Sequence, residues 1–326
     1  MIIAVIGATG LVGRTIIKIL QEKNLGDEKN ILCFASKKSA GSTLDIDGHI
    51  YTVQELCEEN INNHITFAIF AAGGTVSKQW AHFFTKNGTI VIDNSSMFRR
   101  NKNVPLVVPE INFNIVSLKN KLIANPNCSS IALVMPLFVL SKLANIKRVI
   151  VSTYQAASGA GNKGIKDLEN NTTYKFQYSL KNNLIPHIDY FLDNNYTYEE
   201  DKLMFEPTKI LGKKFKISAT AVRVPIKNSH SESINVELDR EIDIREFQRL
   251  LAENEAILLF DNPKQNKYPM PIIANATDKI VVGRIRRDIS KKNSLTFFVS
   301  MDNIKKGAAL NAAQILEKYK NTFFNN

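Results

Sequence analysis

Several features that would narrow the role of this 326-residue chain are scarce or missing. There are only 3 cysteines, Cys33, Cys57 and Cys128, an odd number with no C-x-x-C spacing. Neither a disulfide framework nor a cysteine-built zinc site is expected from that pattern, and no metal is expected at all. Such cysteine usage suits a reducing compartment, so the expected location is cytoplasmic. No apolar run approaches the roughly 18 residues that a membrane helix needs. The opening MIIAVIGATGLVG has no basic segment ahead of it and is broken by glycines, so it does not read as a secretion signal. Repeats and low-complexity linkers are missing too. Acidic residues are in deficit, 31 against 42 lysines and arginines, for a net charge of +11. A basic chain can serve nucleic acid, a membrane surface or small anions. Here the lysines are scattered among asparagines and isoleucines, with no basic block and no interleaved aromatic platform. Nucleic-acid and membrane partners are therefore not expected, and small anionic substrates are compatible.

What is present is length enough for two domains and an alternation of apolar runs with helical patterns. Ile2–Ile6 reads as a buried strand, Leu11–Gln21 as a helix and Ile31–Ser36 as a second strand. Phe67–Ala72 and Ile90–Asp93 repeat the strand signal around a helix at Val76–Thr85. This rhythm predicts an α/β domain with a doubly wound parallel sheet. From about Asn127 the strand signals at Lys216–Val224 and Ser233–Leu238 alternate apolar with polar, which predicts a largely antiparallel sheet. In the first of these, Ile217, Ala219, Ala221 and Arg223 share one face, and an arginine on an apolar face needs a partner or an anionic ligand. Asn170–Asn195 is the least regular stretch and is expected to be a surface excursion. Lys306–Tyr319 reads as a helix that returns to the first domain.

Two places carry chemistry. Gly7, Ala8, Thr9, Gly10, Leu11, Val12 and Gly13 lie between the first strand and the first helix. Glycines there permit a tight turn, and the helix start offers unpaired N–H groups to a pyrophosphate, so a dinucleotide is expected. The second strand ends in Ser36-Lys37-Lys38-Ser39, without the carboxylate that would hold the ribose hydroxyls of NAD. Ser36, Lys38 and Ser39 fit the 2′-phosphate of NADP instead. The bland alternative is a solvated basic loop. The second place is Asn125-Pro126-Asn127-Cys128-Ser129-Ser130, which follows a strand at Leu122–Ala124 and precedes a helical run at Ile131–Leu143. A thiol at a helix start is biased toward thiolate, and nearby backbone N–H groups can hold an oxyanion. Cys33 and Cys57 fit a buried apolar role better.

NPNCSS, STYQAASGAG and KILGKKFKISATAVRVPIKNSHSES follow one another along the chain, with FAAGGTVSK and DNSSMFRRNKNVPLVVPEIN before them and VVGRIRRD and DNIKKGAALNAAQI after them. This series resembles the aspartate-semialdehyde dehydrogenase family from Ile3 to about Gln314. The resemblance implies a Rossmann-like domain over 1–126, completed by a C-terminal helix at 306–326, and an α+β catalytic and dimerisation domain over 127–305. It implies that Cys128 is the nucleophile that forms an acyl-enzyme thioester, that His230 is the acid–base residue and that Gln155 orients substrate. By the same likeness Arg223 binds the substrate α-carboxylate and Glu206 its ammonium, while Arg99 and Lys209 are cations of a phosphate subsite with Asn127, also substrate-binding, close by. The cofactor is expected to be NADP, with Ser158, Gly159, Asn303 and Gln314 joining its site. The implied reaction is the NADPH-dependent conversion of aspartyl phosphate to aspartate semialdehyde and phosphate by a homodimer, in the pathway to lysine, threonine, methionine and diaminopimelate.

Each role also has a chemical reason. An imidazole can accept the proton of a thiol, and a guanidinium grips a carboxylate with a two-pronged fork that lysine lacks. Two departures bear on detail. Pro207 stands where the family has a small hydroxylated residue, which is expected to disturb the local backbone, and Gly164–Pro186 is short. The nearest rival is an N-acetylglutamyl-phosphate reductase, whose cysteine follows glycine and precedes an aromatic, unlike Asn127 and Ser129. A glyceraldehyde-phosphate dehydrogenase would place Thr-Thr-Asn after the thiol. A rival from another class is a non-enzymatic regulator on a nucleotide-binding fold, which would lack the nucleophile or the base.

Overall fold

The computed structural model describes residues 1–61, 64–275 and 277–324; Asn62, Asn63, Ala276, Asn325 and Asn326, the last two at the end of the expected 306–326 segment, lie outside them. The chain divides into two compact units, Met1–Asn127 with Ala308–Asn326, and Cys128–Gly307. In the first, strands β1 (Ile2–Ile6), β2 (Ile31–Ala35), β3 (Thr43–Ile46), β4 (His49–Glu55), β5 (Ile65–Phe70), β6 (Ile90–Asp93) and β7 (Leu122–Ala124) form one sheet in the order β3-β4-β2-β1-β5-β6-β7. All its neighbours are parallel except the β3–β4 hairpin. Helices α1 (Leu11–Glu22), α2 (Gly74–Lys86) and the short α3 (Pro109–Asn112) belong to this unit. The central strands are apolar along their length, as strands covered on both faces must be. The strands and helices expected before Asn127 reappear with ends moved by no more than two residues, as hydrogen-bond definitions allow, whereas the helix expected at Ile131–Leu143 begins and ends three residues earlier and the strand expected at Ser233–Leu238 begins three residues earlier, at His230.

The hairpin was not anticipated. Asp47 and Gly48 both hold positive φ, 52° and 85°, in the two-residue loop that joins β3 to β4. That backbone matches the right-handed twist of the strands, and an Asp-Gly pair adopts it readily.

The C-terminal segment differs from the simple helix expected over Lys306–Tyr319. Lys305–Leu310 is a π-helical stretch, and α-helical geometry begins only at Asn311 and runs to Phe323. The helix joins the core of the first unit through Ala312, Ile315, Leu316 and Tyr319, with the Tyr319 ring edge-on to Phe67 at 5.8 Å. Asn311 Nδ2 donates to the Val107 carbonyl at 3.0 Å, and Lys23 pairs with Glu317 at 2.7 Å.

The second unit holds α4 (Cys128–Leu140), β8 (Ile146–Gln155), α5 (Gly161–Asn170), α6 (Tyr198–Leu211), β9 (Lys216–Arg223), β10 (His230–Leu238), α7 (Ile244–Ala252), β11 (Ile257–Leu259), α8 (Pro271–Ala274), β12 (Ile280–Arg287) and β13 (Ser294–Met301). Its sheet runs β11-β12-β13-β10-β8-β9, antiparallel through the middle and parallel at the two edge pairs. One face carries Thr153, Gln155, His230, Glu232 and Ile234, all buried. The opposite face carries Ile150, Tyr154 and Phe298, with Tyr154 and Phe298 stacked at 6.0 Å. Helix α4 is buried on nearly every side, from Ser129 to Leu140, so this helix forms the unit's interior against α6, α7, β10 and β13. Between residues 171 and 197 no helix or strand forms, in line with the surface excursion expected there. Pro207 does not break its surroundings, because α6 continues through it to Leu211 and closes on Gly212 in the left-handed region.

Candidate functional site

The first unit contains a glycine cradle. Gly7 has φ of 86°, and a Cβ there would lie 2.7 Å from the Ala71 carbonyl oxygen. A Cβ on Gly13 would lie 2.2 Å from the Gly7 oxygen, so both positions require glycine. The amides of Gly7 and Ala8 are spent on the Phe34 carbonyl, and Gly10 N–H donates back to Gly7. The helical ladder begins with Arg14 N–H on the Gly10 carbonyl at 3.0 Å. The N–H groups of Leu11, Val12 and Gly13 therefore precede it and are available to an anion. After β2, Ser36, Lys37 and Lys38 are exposed and Ser39 is half-buried in a tight turn. No carboxylate follows β2 there, and this chemistry fits a phosphorylated ribose. Gln314 lies in the first turn of the C-terminal helix. Arg99 is buried and donates to the carbonyls of Asn125 at 2.9 Å and Asn94 at 2.7 Å, so this cation also braces the segment leading to the buried Asn127.

In the second unit Cys128 is the first residue of α4, where the helix dipole favours a thiolate. The other two thiols are unsuited to attack. Burial pushes Cys33 up to about 12, and Cys57 is also raised, first by loss of solvent. None of the three is in a disulfide. Gly307 abuts Cys128: a Cβ on it would lie 2.7 Å from Cys128 Cβ and 2.9 Å from Met301 Cε.

The ends of β8, β9 and β10 converge on Ala156. Its N–H donates to His230 Nδ1 at 3.0 Å, and its carbonyl accepts from Arg223 Nη1 at 2.6 Å. A Cβ on Gly159 would fall 2.7 Å from Arg223 Nη1 and 3.1 Å from His230 Nε2, so this glycine leaves space for both side chains. His230 is fully buried. Burial and then the Arg223 charge push its imidazole down to about 3, against the pull of Glu199. The ring is thus neutral, and because Nδ1 accepts a hydrogen bond its proton is on Nε2. That arrangement makes His230 a donor toward the site, whereas taking up a thiol proton at Nε2 would need the other tautomer.

Arg223 is buried beside Ala219 and Ala221, on the apolar face that strand alternation indicated. Loss of solvent lowers its pKa, with Glu199 and Cys128 opposing, yet an arginine stays charged in such a site. The bond to Ala156 is the one hydrogen bond of its guanidinium among the described residues, which leaves Nε and Nη2 for a carboxylate.

Glu199 was not anticipated. It is buried, accepts from Gln155 Nε2 at 3.0 Å and pairs with Lys202 at 2.6 Å. Thr153 Oγ1 donates to Gln155 Oε1 at 3.0 Å, so the amide of Gln155 is held at both ends. On α6 the sequence Glu199, Lys202, Glu206, Lys209 steps by three and four residues and lines one helical stripe with alternating charge. Glu206 is buried, and loss of solvent lowers Lys209 while Glu206 opposes. The Thr197–Glu200 capping box fixes the start of this helix, and Glu200 also accepts the Ala221 N–H of β9 at 2.9 Å. The sequence signal was Thr197 with Glu200 three residues on, a helix-start signature ahead of the stripe. Glu232 also escaped notice. Both of its carboxyl oxygens are buried without a hydrogen-bond partner among the described residues, and burial followed by the Glu199 charge raises its pKa well above the carboxylate range.

Ser158 and Asn303, expected at the cofactor, bond to each other: Asn303 Nδ2 donates to Ser158 Oγ at 3.0 Å, and Asn303 Oδ1 accepts Ser229 N–H at 2.9 Å. They pin the turn at Ser229, whose φ is 73°, immediately before His230. Among the described residues no cluster of metal-ligating side chains occurs, and no helix is long and apolar enough to cross a membrane.

Residues 2–118 match a family model described as semialdehyde dehydrogenase, NAD binding domain, and residues 136–306 match the corresponding dimerisation domain. An aspartate-semialdehyde dehydrogenase of Aquifex aeolicus is 46% identical, with 97% of this chain and 96% of that one aligned. The crystal structure of aspartate semialdehyde dehydrogenase II complexed with ASA from Vibrio cholerae superposes with a TM-score of 0.94 at 36% identity, covering 99% of this chain and 98% of that one. The aspartate semialdehyde dehydrogenase of Candida albicans, solved with NADP, is 25% identical with a TM-score of 0.79, covering 98% and 99%. Family models and relatives thus match over nearly the whole chain: it belongs to the aspartate-semialdehyde dehydrogenase family of oxidoreductases.

Proposed function

We propose that this enzyme reduces L-4-aspartyl phosphate to L-aspartate 4-semialdehyde, with release of phosphate, through a thioester on Cys128. The observation that carries the reading is the Ala156 node, which gathers a buried guanidinium with uncommitted donors and a neutral imidazole in the unit that begins with Cys128. In the forward direction the Cys128 sulfur forms a bond to the acyl carbon, and the carbon–oxygen bond to phosphate breaks with its electron pair leaving on phosphate. Arg223 receives the α-carboxylate at Nε and Nη2, and Glu206 takes the ammonium. Lys209 and Arg99, each read from its own unit, supply cations to the departing phosphate. Gln155, clamped between Thr153 and Glu199, presents a rigid edge to the acyl group. His230 donates Nε2–H to the oxygen on which negative charge develops, the task of a neutral imidazole electrophile.

The cofactor is read as NADP. When bound, it supplies or accepts the hydride. The Candida relative, solved with NADP, supports that choice of cofactor; Gly7, Thr9, Gly10, Leu11, Val12 and Gly13 would hold its pyrophosphate and Ser36, Lys38 and Ser39 its 2′-phosphate. Ser158, Gly159, Asn303 and Gln314 are kept as further contacts. The product would feed lysine, threonine, methionine and diaminopimelate synthesis, in a reducing cytoplasm that suits cysteines outside any disulfide.

The decisive assay supplies aspartate semialdehyde, phosphate and NADP and follows NADPH formation. N-acetylglutamate semialdehyde is the competing substrate, and a preference for it sinks the reading. Assembly is proposed as a homodimer through the second unit, whose sheet leaves Ile150 and Tyr154 exposed on one face. Light scattering that returns the mass of a single chain at micromolar concentration would refute this.

A further inference from the structure

The segment after α5 is exposed at Tyr174, Lys175 and Gln177, yet it is tied to the interior at one point. Asp167, on α5, is fully buried. Its Oδ1 accepts from Thr172 Oγ1 at 2.6 Å and Tyr174 N–H at 3.1 Å, and its Oδ2 accepts from Lys175 N–H at 2.6 Å and Phe176 N–H at 3.1 Å. Four donors on one carboxylate fix the path of the chain from Thr172 to Phe176. Burial pushes the carboxyl up, but these hydrogen bonds outweigh it and its pKa is lowered, so the group is ionised. The result is that Phe176 turns inward, packs on the small cluster of Ala157, Leu180 and Ile185, and lies over the Arg223 guanidinium with its ring centre 5.8 Å away. Gly164 makes the room, since a Cβ there would be 3.1 Å from Phe176 Cζ.

An aromatic face is an unusual neighbour for a buried cation whose fork is incompletely paired. It attracts the charge through the ring quadrupole without taking up any N–H donor. Water is displaced from that side of the guanidinium, while its edge stays open to a planar carboxylate.

We propose that Phe176, clamped by Asp167, is a positioning residue that sets specificity for α-amino acid substrates by closing one side of Arg223. This rests on the reading of Arg223 as the carboxylate site. Phe176 supplies the apolar side wall, Arg223 the charge, and Asp167 acts only through the ring it holds.

The test measures steady-state kinetics with aspartate semialdehyde and with propanal, which lacks the carboxylate, for Phe176→Leu, Phe176→Tyr, Asp167→Asn and Arg223→Lys. Phe176→Leu keeps apolar bulk but removes the aromatic face, and is expected to raise KM for the semialdehyde about 3- to 30-fold with kcat nearly unchanged. Phe176→Tyr should restore KM to within about twofold of wild type, because the ring remains. Asp167→Asn turns an acceptor oxygen into a donor group, loses part of the clamp and should reproduce the KM of Phe176→Leu. Rates with propanal should not respond to any change at 176 or 167. The proposal is overturned if Phe176→Leu matches wild type with the semialdehyde, or raises KM for propanal equally, while Arg223→Lys is impaired. An Arg223→Lys enzyme with wild-type KM overturns this proposal and the carboxylate reading together.

Discussion

Ala156 and His230 are joined by one hydrogen bond, 3.0 Å long, in which the backbone N–H donates to Nδ1. A backbone amide cannot reverse its role, so the bond sets the tautomer of the ring and keeps it neutral in company with the Arg223 charge. The folded pKa of about 3 lies below the ordinary histidine value. Stability from this group is thus complete above about pH 6.5 and declines as pH falls toward the folded value, by about 1.4 kcal/mol per pH unit. Urea midpoints are expected to drop below pH 6.5 in wild type and to flatten in His230→Gln. The pH profile of kcat/KM should show no His230 ionisation near 6.5. A limb there that vanishes in His230→Gln would restore a general-base role.

Cys128→Ser is expected to abolish turnover while leaving NADP affinity nearly intact, because an alkoxide does not form near neutral pH. Iodoacetamide should modify Cys128 much faster than Cys33, which is buried with its thiol pushed up to about 12. Mass spectrometry of the folded protein can compare the peptides, and equal labelling of both would refute activation at the helix start.

Lys38→Ala should weaken NADP by about 1.5–3 kcal/mol, roughly 10- to 150-fold, if its ammonium meets the 2′-phosphate. NAD binding should hardly change. Titration calorimetry with both nucleotides decides, and an equal loss for each would assign Lys38 to the solvated surface.

Glu232 should make wild type less stable as pH rises. Its folded pKa is raised, so the proton it retains favours the native state most below about pH 4.3, and the benefit disappears as pH climbs toward the folded value. Glu232→Gln removes the ionisation, so its Tm advantage over wild type should widen from pH 5 to pH 8. Parallel curves would mean that the carboxyl finds a proton-independent partner.

The sequence was most legible where local chemistry and tertiary context agree. Gly7 to Gly13 and Cys128 each follow a strand and open a helix, and both motifs read the same way in isolation and in the fold. Arg223 betrayed itself through alternation, since its neighbours on that face are alanines. The Asp47-Gly48 hairpin carried a visible signal that the βα rhythm overshadowed. Glu199 and Glu232 were obscured for opposite reasons. Glu199 sits among other charged residues on a helix whose polar stripe faces inward, and Glu232 occupies a buried strand face where a carboxyl is costly. Only the pairing of β8 with β10 and the seating of α6 bring them beside Gln155 and His230. The π-helical turn before Asn311 has no marker in composition, because it arises from how one stretch of helix meets its surroundings.

Gly307 has no reactive group, yet the hydrogen in place of its side chain is what lets Cys128 occupy its position. A single methyl added there would collide with the β-carbon of Cys128, and Gly307→Ala is expected to silence the enzyme with every reactive atom still encoded. Inventories of catalytic side chains would score such a variant as competent. Diagnosing whether a homologue is alive therefore demands checking an empty space as carefully as a functional group.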